Sequence, residues 1–81
     1  MNRKEILKRL QPIFAEVFED ENIQLTEATT EADVDKWDSL SHLTLIYEVE
    51  SEFEMKFKMK EILEMKNVGE MVDILLREIK K

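Results

Sequence analysis

Eighty-one residues, 19 acidic against 12 basic side chains, a net charge of −7 and no cysteine allow one domain, spanning residues 1–81, with one small core. The missing cysteine excludes disulfides, thiolate catalysis and cysteine-ligated zinc, and the negative charge argues against nucleic acid, whose phosphates it would repel. No stretch approaches the ~20 apolar residues of a membrane span, and Met1-Asn2-Arg3-Lys4-Glu5 is not followed by the apolar run of a secretory signal. A cytoplasmic monomer with no membrane partner is expected, its acidic surface serving solubility or steering toward basic proteins.

Asn2 and Glu5 have capping-box spacing, and Ile6, Leu10, Ile13 and Val17 then recur at helical intervals, widened by Leu7, Phe14 and Phe18. A first helix over residues 3–18 is predicted. Pro12 removes one of its hydrogen bonds and crowds the preceding turn, so a kink or a split into two short helices is expected there. Residues 19–37 have no sustained period; Ile23 and Leu25 are the candidate anchors of this polar loop.

From Tyr47 to Lys60 charges alternate almost strictly, through Glu48, Glu50, Glu52, Glu54, Lys56, Lys58 and Lys60, which taken alone reads as a strand. Counted from Ser39, however, Leu45, Ile46, Val49 and Phe53 share one side of a helical wheel, and Ser41, Thr44, Glu48, Ser51 and Glu52 lie opposite. With no second strand to pair, a helix over residues 39–54 is predicted, then a connector through Met55 and Phe57. A short helix over residues 60–65 follows. Asn67 and Glu70 repeat the asparagine cap, and Val68, Val72, Leu75 and Ile79 carry a last helix whose negative end suits Lys80 and Lys81. The fold class is all-α: a bundle of three longer helices and one short one, with a long loop after the first.

Trp37-Asp38-Ser39-Leu40 stands where that loop meets the second helix. Asp38 is suited to cap it, placing Ser39 in the first turn with its hydroxyl toward solvent. Ser39 has no catalytic surroundings: the sole histidine, His42, lies three residues along the same helix, and no Gly-x-Ser-x-Gly elbow encloses the serine. No nucleophile–base pair, metal-ligand cluster or phosphate-binding glycine loop is evident, so no enzyme is expected. A calcium loop beginning at Asp33 fails, because Asp38 stands where glycine is needed and Thr44 where glutamate is needed. A lone exposed serine at a helix start suits modification by another enzyme.

Asp38-Ser39-Leu40, the hydrophobic spacing after it, and Asn67-Val68-Gly69 opening the last segment resemble the acyl carrier proteins. The resemblance runs from about Thr26 to Ile79. It implies that Ser39 receives 4′-phosphopantetheine from coenzyme A through a phosphopantetheinyl transferase, flanked by Asp38 and Leu40 at the matching positions. The cofactor thiol then holds an acyl group as a thioester for acyl-loading and acyl-processing enzymes. The resemblance further implies a docking face on the second helix and beyond, formed here by Leu40, Tyr47, Glu48, Glu50, Glu52, Phe57 and Ile62. It also implies an acyl pocket among Ile46, Met59, Ile62, Met65, Val68 and Leu75, residues that equally make ordinary core. Met55 and Met71 belong with that set.

The chain departs from the fatty-acid-synthesis type at Ser41 and Thr44, usually acidic there, at Lys56, Lys58 and Lys60 in the connector, and at Trp37, usually small. Trp-Asp-Ser-Leu is similar to stand-alone carriers of specialised pathways, D-alanyl and other aminoacyl carriers among them. The alternative from another class is a small acidic helical interaction module without a prosthetic group. His42 and Trp37 are expected to be packed, Trp37 as an anchor for the loop before Ser39.

Overall fold

The computed structural model describes residues 1–79 and contains four α-helices: α1 (Arg3–Val17), α2 (Ser39–Phe53), α3 (Met59–Glu64) and α4 (Val68–Ile79). Lys80 and Lys81, expected to complement the end of α4, lie outside the described residues. The predicted helices are all present, and the charge alternation from Glu48 to Glu52 sits on a helix after all.

Helix α1 begins at Asn2, whose side chain accepts the Glu5 amide at 2.9 Å. It runs unbroken through Pro12, so the expected split does not occur. The reason lies in exposure: Pro12 and Lys8, whose carbonyl loses its partner, both face solvent, where water can satisfy that carbonyl. The helix closes with Glu19 in the left-handed region (φ 52°) and the Asp20 amide reaching back to the Ala15 carbonyl at 3.0 Å. Helix α2 closes the same way, with Glu54 at φ 51° and the Met55 amide on the Glu50 carbonyl at 3.2 Å.

The core is continuous. Ile6, Leu10 and Phe14 of α1 meet Leu45, Val49 and Phe53 of α2 and Val68, Met71, Val72 and Leu75 of α4. The hydrophobic effect explains why these stripes coalesce: none buries its apolar face alone. Ile23 and Leu25 are buried as expected, but the loop carrying them is also fixed by polar ties from distant helices. Gln11 of α1 donates to the Ile23 carbonyl and accepts the Leu25 amide at 3.2 Å. Arg3 binds the carboxylates of Glu27 and Asp73, joining α1, the loop and α4, and its hydrogen bond holds the Glu27 carboxyl below the usual carboxylate range.

Two free amides at the start of α4 find partners in this loop: Val68 N–H donates to the Thr29 carbonyl at 2.9 Å and Gly69 N–H to the Glu27 carbonyl at 2.8 Å. This close approach explains Gly69. A methyl added there would stand 3.0 Å from the Glu27 carbonyl oxygen and 3.2 Å from the Asn67 side-chain oxygen. The backbone oxygen cannot retreat without losing its bond to Gly69. Gly69→Ala is therefore expected to destabilise the fold by about 1 kcal/mol despite alanine's better helix propensity, read as a lower urea midpoint at unchanged slope.

Candidate functional site

The loop reaches Ser39 through two fixed points. A 3₁₀ turn at Glu31–Asp33 is pinned by the Asp33 carboxylate, which accepts the Thr30 amide at 2.9 Å. Trp37 then buries its indole, with 6% of its surface exposed, against Phe14 (ring centroids 5.4 Å apart, 79° between planes) and Phe18 (5.6 Å, 39°). Its Nε1–H donates to His42 Nδ1 at 3.0 Å, and His42 Nε2 lies 3.2 Å from the Ile62 carbonyl of α3. Trp37 is thus the loop anchor that its position before Ser39 led us to expect, and His42 is half-buried.

Asp38 caps α2 in extended backbone. Its carboxylate accepts the Ser41 amide at 2.9 Å, while its own amide donates to Ser41 Oγ at 2.8 Å. Ser41 Oγ donates in turn to the Lys36 carbonyl at 2.7 Å. Ser41, which departs from the acidic residue of the family pattern, therefore completes a reciprocal capping box. The Ser41 amide chiefly holds the Asp38 carboxyl below the usual aspartate range, so the cap's stabilisation is full above about pH 4 and is lost as pH falls through the lower folded-state value. Below that range the Ser41 amide is expected to lose its protection from solvent exchange and its downfield shift, followed by NMR; a Ser41 amide unmoved through the Asp38 titration would contradict the cap.

Ser39 follows as the first helical residue. It is exposed, and its hydroxyl has no hydrogen-bond partner among the described residues. Beside it lies an open hollow of about 300 Å³ bounded by Glu31, Ser39, His42, Leu43, Met59, Ile62, Leu63 and Met65. Leu40, Leu43 and Tyr47 project outward from α2 with 79%, 57% and 68% of their surfaces exposed, and Met59 (68%) and Leu63 (75%) do so from α3. Leu43, Met59 and Leu63 line the hollow beside the serine, and Leu40 and Tyr47 extend this apolar rim along the face of α2 that Leu43 shares.

No family model and no curated protein sequence matches this chain. Among solved structures, it is similar to the holo acyl carrier protein from Geobacter metallireducens, determined by solution NMR: 41% identity, 93% of this chain and 86% of that one covered, TM-score 0.86. The chain belongs to the acyl carrier protein family. The four-helix architecture agrees with that fold.

Within this family member, the expected docking residues divide. Leu40 and Tyr47 are on the rim, joined by Leu43, which was not anticipated although its spacing from Leu40 and Tyr47 gives it the same helix face. Ile62 is half-buried and borders the hollow. Phe57 is not a surface residue: it is buried at 8% exposure. The extended connector alternates Lys56 outward, Phe57 inward and Lys58 outward, so the period-two signal in the sequence is real for this segment. Glu50 is half-buried, with its carboxylate accepting the Phe57 amide at 2.7 Å, and so holds the connector. Glu48 and Glu52 are exposed but border a groove against α1 with Lys8 and Arg9, Glu52 lying 3.8 Å from Arg9.

The expected pocket also divides. Met59, Ile62 and Met65 border the hollow, Met59 from its exposed edge, whereas Ile46, Val68 and Leu75 are closed in the core, as is Met71. Met55 is half-buried in a different hollow, beside Tyr47 and Lys56. No group of three or more metal-ligating side chains occurs among the described residues, and no described helix is long and apolar enough to cross a membrane.

Proposed function

We propose that this acyl carrier protein bears 4′-phosphopantetheine on Ser39 and carries acyl intermediates as thioesters to partner enzymes of a specialised pathway. The observation that carries this reading is the unpartnered, exposed hydroxyl of Ser39 on the rigid first turn of α2. The surroundings fit the group. The positive end of the α2 dipole favours the negative phosphodiester that Ser39 would acquire, and the hollow beside it suits a pantetheine arm or the first carbons of its cargo. Asp38 and Ser41 fix the backbone on either side of Ser39, and Leu40 stands ready for contact with the transferase. With no cysteine in the chain, the thiol is the cofactor's to supply. The carrier's own gain is proximity, since a tethered acyl group meets its enzymes at a high effective concentration.

On this reading the partner face is the apolar rim of Leu40, Leu43, Tyr47, Met59 and Leu63, with Ile62 set into it. Glu48 and Glu52 lie toward α1, while Lys56, Lys58 and Lys60 are exposed on the connector and the start of α3, without an ion pair among the described residues. A partner shaped for an all-acidic carrier meets three lysines here, which supports a dedicated partner set and poor service to general fatty acid synthase enzymes. An aminoacyl cargo, D-alanine included, is the second reading within this class, favoured by Trp37-Asp38-Ser39-Leu40.

Loading tests the function directly. The protein first given phosphopantetheine is expected to gain one acyl group from an acyl-activating enzyme and to lose it to neutral hydroxylamine, as a thioester does. An acyl group resistant to hydroxylamine, or acylation of protein lacking the cofactor, would sink the proposal. Leu43→Asp is expected to lower the transferase's kcat/KM at least tenfold without altering the fold, as placing a charge in an apolar contact costs at least ~1.4 kcal/mol; an unchanged value would remove Leu43 from the docking face.

A further inference from the structure

His42 is the one histidine in the chain, and its two ring nitrogens have different partners. The indole Nε1–H of Trp37 can only donate, so His42 Nδ1, 3.0 Å away, must carry the lone pair. The Ile62 carbonyl can only accept, so Nε2, 3.2 Å away, must carry the hydrogen. The neutral Nε2–H tautomer satisfies both contacts; the other tautomer and the imidazolium each leave two hydrogens facing one another at Trp37. We infer that His42 is a proton-sensitive positioning residue that locks the Ser39 loop to α3 when neutral and releases the Trp37 anchor when protonated.

The geometry decides between competing effects of that proton. The Trp37 and His42 ring planes differ by 21° and their centroids are 6.0 Å apart, while their edge nitrogens are in hydrogen-bond contact. The rings therefore lie side by side, and an imidazolium would sit at the indole's positive edge, where it gains no cation–π attraction. Its Nε2–H would keep the Ile62 carbonyl, so the bond lost is the one to Trp37. That indole is buried, and its N–H would be left without an acceptor unless Trp37 shifts. Trp37 lies two residues before Ser39, and its displacement moves the backbone that presents the serine.

The charged groups near His42 come from two elements. From the loop, Glu31 borders the same hollow. On the same helix, Asp38 is one turn away with its carboxylate engaged by Ser41. From α3 and the segment after it, the hollow receives Met59, Ile62, Leu63 and Met65, none of them titratable. On the far side of the indole stand Phe14 and Phe18.

The device rests on the carrier reading only for its consequence at Ser39, and is measured on unmodified protein. Long-range proton–nitrogen NMR of the full chain at neutral pH is expected to show His42 as the Nε2–H tautomer. The Trp37 indole proton is expected to shift with pH at the same midpoint as His42. Corrected for intrinsic exchange, its exchange should rise roughly tenfold between one pH unit above that midpoint and one below. Trp37→Phe, which keeps an aromatic ring in the packing but removes the donor, is expected to populate both tautomers. His42→Gln is expected to leave the indole resonance flat through this range. An Nδ1–H tautomer at neutral pH, or an indole resonance indifferent to His42, would overturn the inference while leaving modification of Ser39 intact. Failure of Ser39 to accept phosphopantetheine would overturn the carrier reading while leaving the tautomer result standing.

Discussion

Ser39→Ala is expected to fold as the parent does and to accept no phosphopantetheine. The hydroxyl makes no bond within the described residues, and the side chain is exposed, so removing it leaves no buried group unsatisfied. Asp38 continues to cap through Ser41 and Trp37 continues to anchor through Phe14, Phe18 and His42. Alanine is also a better helix former than serine, so the helix does not weaken. The substitution therefore separates presentation from chemistry: circular dichroism and the urea midpoint stay within ~0.5 kcal/mol of the parent, while the mass gain with coenzyme A and a transferase falls from complete to none. A Ser39→Ala protein that still gains one phosphopantetheine would place the modification on another residue and dissolve the site as drawn.

Phe14→Ala is expected to have the largest effect on stability. Phe14 is fully buried and is the ring against which both Phe18 and Trp37 pack. Truncating such a residue costs about 3–5 kcal/mol, whereas a chain of this length has roughly 4–12 kcal/mol in total. At about 4–8 °C per kcal/mol for a domain of this size, the thermal midpoint falls by at least ~12 °C, and the protein is partly unfolded at moderate temperature if the parent lies low in its range. The loss also reaches the functional end of the molecule, because the Trp37 anchor loses its edge-to-face partner. Thermal unfolding followed by circular dichroism measures it; a shift below about 4 °C would mean that Phe14 is not central to the core.

The helices were legible because their signals are local. Ile6, Leu10 and Phe14 repeat at helical spacing, Asn2, Asp38 and Asn67 are short acceptors directly before such repeats, and each of the three accepts the amide three residues on. Leu45, Ile46, Val49 and Phe53 favour helix over strand after Ser39, and all four are buried. What the sequence hid is long-range and polar. Nothing near Gln11 announces that it will clamp residues 23 and 25, and Arg3 reaches Glu27 and Asp73 across three elements.

At the site, Asp38 and the exposure of Ser39 could be read from the caps, and Trp37 from its size. Ser41 could have been found as well, since a serine three residues after a capping aspartate can reach back to the cap's own amide. The docking and pocket residues were harder, because assigning them depends on which helix flank meets which neighbour. Glu50 and Phe57 sit where a wheel and a motif both permit exposure, yet the left-handed turn at Glu54 swings the connector so that Phe57 points inward and Glu50 meets its amide. Helix α3 has only six residues, too few for a wheel to assign its sides, and so the exposure of Met59 at the edge of the hollow is not legible in the sequence.

The role of Ser39 is tested most directly by the intact mass of the wild-type protein before and after incubation with coenzyme A and a broad-specificity phosphopantetheinyl transferase, followed by peptide mapping. The predicted result is the gain of one phosphopantetheine, carried by the peptide containing Ser39. Folded protein that is unmodified at the outset and gains nothing, or gains the group on a different residue, would contradict the assignment of Ser39 as the carrier serine.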